Sequence, residues 1–339
     1  MLFKNAFHLM VDNFSLNYKM LLYKIVVGIV TVALCAALLY PTLRMLATSE
    51  PLKELLDLIR EFLRAVVSGN TEFLQTFPDG LQESLSALVA YIGEKTPNLV
   101  FFCVSLVLIV LISRFLSGMG DFAFGVLIDD RMSSHANTAF FSAFIGNLGK
   151  AALWQVVYVP LTFVYDVLSL ALCYVFFLIL LNVISVGFLA TVVALLFSVA
   201  LLLAAAAVKM TLFSAVIPAL VSDKMKLGAA MKGSFTFTKS RFSTLFSTYL
   251  VTCLLILCIN ALFALVTFGA ALLITGPMSI LMLLCIRFVS YYTCGQKKYF
   301  LAEDKIVQPK ERTNENFYDD LNCERARRFC RRKNILFCL

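Results

Sequence analysis

Charged residues cut this chain into long apolar runs, and the runs predict its elements. Fifty-eight residues separate Lys150 from Lys209, and Asp166 alone among them is charged. An α-helix rises about 1.5 Å per residue and a bilayer core is about 30 Å thick, so one crossing takes roughly 20 residues. The run therefore fits two crossings, with the polar-small cluster from Asn182 to Gly187 as the turn. Phe242 to Ile286, 45 residues without a charge, predict a second hairpin, with its turn at Phe268-Gly269 or Gly276-Pro277. A third pair comes from about Leu21 to Leu43 and from the stretch between Lys95 and Arg114. The expected fold is all-α: a polytopic membrane protein of six transmembrane helices, arranged as three hairpins with interfacial amphipathic helices. One domain covers residues 1–300, followed by a basic cytoplasmic tail over 301–339 that is polar and poorly ordered.

The segments between crossings read as lead-ins and loops. Residues 1–19 set Leu2, Phe3, Phe7, Met10 and Phe14 along one side of a helix lying at the interface, without a cleavable signal pattern. Residues 44–97 form the long outer loop. Ser49-Glu50-Pro51 starts a helix there, with a capping hydroxyl and a proline in the first turn. Leu52, Leu55, Ile59 and Phe62 then follow the 3.6 period. Pro78-Asp79-Gly80 predicts a turn before a second amphipathic helix ending near Gly93. Ser117 to Gly149 is expected to be a loop and then a short helix carrying Phe140, Phe141 and Phe144. Pro160 is expected to kink its helix, and the helix past Lys209 to reach Pro218. Ser222 to Arg241 makes a basic amphipathic segment.

An internal repeat suggests itself. Asn13-Phe14, Asn147-Leu148 and Arg241-Phe242 each follow a short aromatic stretch and precede a crossing. Three units of lead-in helix plus hairpin are one reading, and a shared need of helices entering a bilayer is the other.

Composition agrees with the pattern: 60% hydrophobic and 15% charged residues, with mean hydropathy +0.87, against about 25% charged in soluble domains. Net charge is +8, and twelve of the 29 Lys/Arg fall from Arg287 onward. That location suits anionic lipid headgroups better than nucleic acid. Bases concentrate at the N-terminus, in 114–150, in 209–241 and in the tail, whereas the long outer loop has eight acids against five bases. The bias places both termini in the cytoplasm and the chain, multi-pass, in the plasma (inner) membrane. Most of the ten cysteines lie in apolar runs, and Cys323, Cys330 and Cys338 lack metal-ligand spacing, so free thiols and no metal site are expected.

Candidate chemistry is sparse. Asp166 lies halfway between Lys150 and Asn182, near the midplane if that helix spans, and a lone carboxylate there needs a partner. Arg287 is at a similar depth, which predicts an Asp166–Arg287 pair with Tyr158 or Tyr165 as hydrogen-bond partners. The pair is either a proton or solute relay or a structural clasp. Asp129-Asp130-Arg131 is either half of a metal–phosphate site or a solvated turn. No HExxH, GxSxG or Walker loop is present, so no enzyme and no cofactor are expected. Lys224, Lys226, Lys232, Lys239 and Arg241 are candidate contacts for inner-leaflet lipid, as is the tail from Arg325 to Lys333.

Phe213-Ser214-Ala215-Val216-Ile217-Pro218, then Ser222-Asp223 and Gly228 through Phe235, resembles a known pattern. It is similar to the membrane-domain family of some bacterial glycerophosphodiester phosphodiesterases and to related stand-alone six-helix proteins. The resemblance covers about 25 residues and implies architecture and a bacterial plasma membrane. No phosphodiesterase domain follows, so it does not imply hydrolysis. The expectation is an accessory or scaffold protein contacting lipid or partner membrane proteins, with a small-solute permease or channel using Asp166 and Arg287 as the alternative. A lipid-phosphate enzyme would need further acids near Asp129.

Overall fold

Helix after helix runs past the length a bilayer requires, and the surplus organises the fold. The computed structural model describes residues 2–95, 99–183, 187–302 and 305–307. Its helices are α1 (Leu2–Asp12), α2 (Ser15–Ala47), α3 (Glu50–Ser68), α4 (Thr71–Lys95), α5 (Leu99–Ser134), α6 (Phe140–Gly146), α7 (Leu148–Val183), α8 (Gly187–Leu212), α9 (Val216–Val221), α10 (Leu227–Thr267) and α11 (Leu272–Cys294). Strands β1 (Tyr299–Ala302) and β2 (Lys305–Val307) pair antiparallel. Among the described residues six helices, α2, α5, α7, α8, α10 and α11, are long and apolar enough to cross a membrane. The protein is a polytopic, all-α membrane protein of three hairpins.

The crossings close a ring in the order α2, α5, α7, α8, α10, α11 and back to α2, with α11 also touching α5. α11 is the most enclosed: 44% of its apolar stretch is buried, against 6–11% in the other five. α5 and α7 have 36 residues each, about 54 Å by helix rise, so some 24 Å of each stands outside a 30 Å layer. The overhang lies on the side that carries α1, α6, α9 and the β ribbon, called basal here. The continuous core is there too: Leu9, Met20, Phe122, Phe124, Trp154, Ile217 and Phe288 are among its buried members.

Several expectations change. The loop expected from Ser117 is helix, because α5 continues to Ser134. Its glycines are close-approach points: a Cβ on Gly118 would stand 2.2 Å from the Gln155 amide, and one on Gly120 would stand 2.1 Å from the Tyr23 ring. The outer loop turns at Gly69, whose φ of 71° suits glycine, and α4 runs through Pro78 to Gly80 without a break. Phe77 stacks on Phe62 of α3 at 4.2 Å there. α8 stops at Leu212, and Pro218 sits inside the separate, buried α9. The last hairpin turns at Phe268 and Gly269, both at positive φ, leaving Gly276-Pro277 inside α11. Residues 299–302 and 305–307 form a ribbon where an unstructured tail was expected. The centre of the expected 182–187 turn, at 184–186, and the tail from 308, with Arg325 to Lys333, lie outside the described residues.

The three lead-ins end where their polar–apolar pairs stand. α1 stops before Asn13, α6 before Asn147, and α10 carries a non-helical residue at Arg241 (φ −137°). Asn13 and Asn147 each donate through Nδ2 to the carbonyl four residues back, Leu9 at 2.9 Å and Ala143 at 3.0 Å. Those carbonyls belong to the last turn of a helix, where backbone donors run out, although the Leu9 carbonyl also accepts from the Asn13 N–H at 3.1 Å. Four residues past each break, Asn17, Ala151 and Leu245 are all buried.

Candidate functional site

The polar groups of the crossings meet in two layers. In the upper one, Asp166 is claimed from two sides. Arg114 Nη1 donates to Oδ2 at 2.7 Å and Lys209 Nζ to Oδ1 at 2.6 Å, so one carboxylate ties α5, α7 and α8 together. The expected Asp166–Arg287 pair is not formed. α7 packs on α5 and α8, whereas α11 packs on α2, α5, α9 and α10, so matching depth did not mean shared faces. Arg287 instead lies beside Tyr249, with its Nε buried and unpartnered. Neither tyrosine serves Asp166. Tyr165 donates to the Ala205 carbonyl at 2.9 Å, and the Tyr158 ring packs on Trp154 and Phe213 at 4.8 and 5.3 Å. The midplane position is also revised. Asp166 is 17 residues from the distal end of α7 at Val183, about 26 Å, which sets it toward the basal edge of the layer.

A second clasp lies beside the first. Lys24 reaches Asp121 at 2.7 Å and the Ser117 hydroxyl, while Tyr23 donates to the Leu116 carbonyl at 2.6 Å. These contacts fasten α2 to α5. Helix α5 thus presents Asp121 and Ser117 to one neighbour and Arg114 to another.

The basal layer joins the ends of all three hairpins. Asp129 on α5 is 8% exposed and accepts from Tyr292 Oη of α11 at 2.7 Å and from the Ser222 hydroxyl after α9. Asp223 accepts from Tyr291 Oη at 2.5 Å and from Lys297 Nζ. The Lys297 ammonium also stands 4.9 Å from the Tyr291 ring centre and 5.6 Å from that of Tyr292. Burial pushes the Asp223 carboxyl upward, but the Lys297 and Tyr291 hydrogen bonds and the Lys297 charge outweigh it and hold the group below the usual carboxylate range. Asp129 and Asp130 form neither a solvated turn nor an open acidic pair. Both are helical, and Asp130 accepts from the Thr138 hydroxyl at 2.5 Å. Sequence reasoning missed the roles of Ser222, Tyr291, Tyr292 and Lys297. The available signal was an acid directly after the apolar stretch Phe122 to Ile128, since such a group, if buried, needs donors from elsewhere.

Lys224, Lys226, Lys232, Lys239 and Arg241 are all exposed. Lys224 and Lys226 precede α10, and Lys232 and Lys239 are exposed because the opposite face of α10 is committed. Ala230, Ser234 and Thr238 are buried at four-residue spacing, Ser234 donating to the Leu212 carbonyl at 3.1 Å and Thr238 to Thr211 at 3.0 Å. The small hydroxyls let α10 approach the end of α8 and supply donors to carbonyls at its last turn. Every cysteine among the described residues is free.

Two shallow grooves of about 300 Å³ flank the bundle. One lies between α1 and α10 (Phe3, Thr244, Thr248) and the other between α5 and α7 (Phe115, Gln155, Pro160). Asp166 lines neither. Comparison with protein-family models, with curated proteins and with solved structures yields no match to the chain. The fold and the two polar layers define an integral membrane protein of six apolar helices.

Proposed function

We propose that the protein is a non-enzymatic accessory or scaffold protein of a bacterial plasma membrane, meeting lipid and partner membrane proteins through the outward faces of its helices. One observation carries this reading. Both oxygens of Asp166, the lone acid of the central hairpin, are used in joining three helices. A relay carboxylate must exchange its partner in every cycle and needs a water-filled route to do so. A clasp needs only to hold.

The resemblance around Phe213 to Phe235 supports the same setting. The basal overhang, where the exposed bases of α10 lie, then faces the cytoplasm by the positive-inside bias, with α1 and the β ribbon on that side. Lys224, Lys226, Lys232, Lys239 and Arg241 would meet anionic headgroups, each contributing about 1 kcal/mol. No cofactor, metal or nucleic acid enters this reading.

Reconstituted vesicles test it. The wild-type protein should release trapped ions and small solutes no faster than protein-free vesicles, while Asp166→Asn should lower the unfolding temperature. A solute flux that disappears in Asp166→Asn with unfolding unchanged would replace the scaffold by a permease.

A further inference from the structure

Helix α3 carries a surface that none of the clasps uses. Residues along a helix turn by about 100° each, so its side chains sort into rows. Leu58, Phe62 and Ala65 lie toward α4, with Leu58 against Gly80 and Phe62 stacked on Phe77. The adjoining apolar row is bare: Leu56, Ile59 and Leu63 are 49%, 39% and 59% exposed.

The charges beside that row fall into a basic and an acidic strip, which touch where Arg60 Nη1 donates to Asp57 Oδ1 at 3.2 Å on the exposed surface. Lys53, Arg60 and Arg64, the bases of α3, fall within about 40° of arc directly beside the exposed leucines. Glu50, Glu54, Asp57 and Glu61, its acids, occupy the next 60° or so, further from them. A face wetted by bulk water has no need to place each base against the apolar row. A face resting on phosphates does, because cations flanking an apolar stripe reach the headgroup level while acids are kept away. The level fits as well. The apolar stretch of α2 ends at Tyr40, and α3 begins ten residues later at Glu50.

We propose that α3 lies in the headgroup layer of the distal leaflet. Leu56, Ile59 and Leu63 rest on the upper acyl carbons, and Lys53, Arg60 and Arg64 meet lipid phosphates. The occupant of the bare face is the phospholipid leaflet itself. This assignment is independent of the scaffold reading, which rests on Asp166.

Tryptophan placed on either side of the helix tests it in the full-length protein. The chain has one tryptophan, Trp154, which is buried and serves as an internal reference. Leu63→Trp, Leu56→Trp and Glu61→Trp proteins are reconstituted in phosphatidylcholine/phosphatidylglycerol vesicles, with and without lipids brominated near the headgroup. The added emission of Leu63→Trp and Leu56→Trp should be blue-shifted and largely quenched by bromines about 5–10 Å below the headgroups. That of Glu61→Trp should stay red and yield to acrylamide instead. Acrylamide quenching without bromolipid quenching at all three sites would overturn the proposal. So would shielding of Leu56→Trp and Leu63→Trp from both quenchers that is lost on diluting the protein in lipid, which would assign the face to a second copy of the chain.

Discussion

The basal half of the bundle and the half inside the hydrocarbon layer are made from the same helices and follow different rules. In the basal half, Phe122, Phe124, Trp154 and Phe288 are 0–2% exposed, and helices meet through large side chains. In the other half, Leu168 and Leu196 are each 64% exposed, and contact between helices relies on a few polar ties. The reason is the solvent on each side. Water drives apolar surfaces together at the base, whereas lipid tails are as apolar as leucine and give no such drive between crossings. The crossings therefore depend on Asp166 and its two cations, and the base depends mainly on packing.

The largest effect should separate the halves directly. Phe288→Ala, in the basal core, should cost about 3–5 kcal/mol by thermal or denaturant unfolding in micelles. Leu168→Ala, facing lipid, should stay within about 0.5 kcal/mol. Equal losses would erase the distinction.

Next is the clasp. Asp166→Asn should cost about 1–3 kcal/mol by leaving Arg114 and Lys209 facing each other, the value being moderated by partial exposure. Its effect should couple to Lys209→Met by about 1 kcal/mol and add to Arg287→Met within about 0.5 kcal/mol. Coupling to Arg287 instead would restore the pairing expected from depth alone.

Gly120→Ala should cost about 1–3 kcal/mol, since the Tyr23 ring must move and its bond to the Leu116 carbonyl with it. The unfolding midpoint of the variant against wild type checks this.

The smallest effect should be the acid limit of the basal layer. The Asp223 carboxyl is held low in the folded protein. Its stabilisation is therefore fully present above the unfolded-state value of about 3.9 and lost as pH falls through the folded one. Asp223→Asn should lower stability at neutral pH by that contribution and flatten this part of the stability–pH curve, so that variant and wild type converge as pH falls. An unaltered slope below pH about 4 would remove the Lys297–Asp223 link from the account.

Hydropathy made the crossings legible, because length and absence of charge are enough to demand a bilayer. Lead-in breaks at Asn13, Asn147 and Arg241 could be read because a polar residue followed by an apolar one marks the change of surroundings. The loop expected at Ser117 was misread, since glycine signals both turns and close packing and only the neighbour decides. Gln155 and Tyr23, far away in sequence, settled it in favour of packing. Asp166 was recognised as needing a partner, yet the partner was assigned by depth. Depth is a one-dimensional quantity. Azimuth around the ring, which put α5 and α8 beside α7 and kept α11 away, depends on how six helices pack at once.

The sequence by itself determined the all-α class, the number of crossings and the residues that must find partners, because the cost of placing charge in lipid acts on each segment separately. Tertiary structure alone decided that Arg114 and Lys209 hold Asp166, that Tyr292 and Ser222 hold Asp129, and that the core lies at the base. Those choices belong to pairs of surfaces, and each surface exists only once the helices beside it are in place.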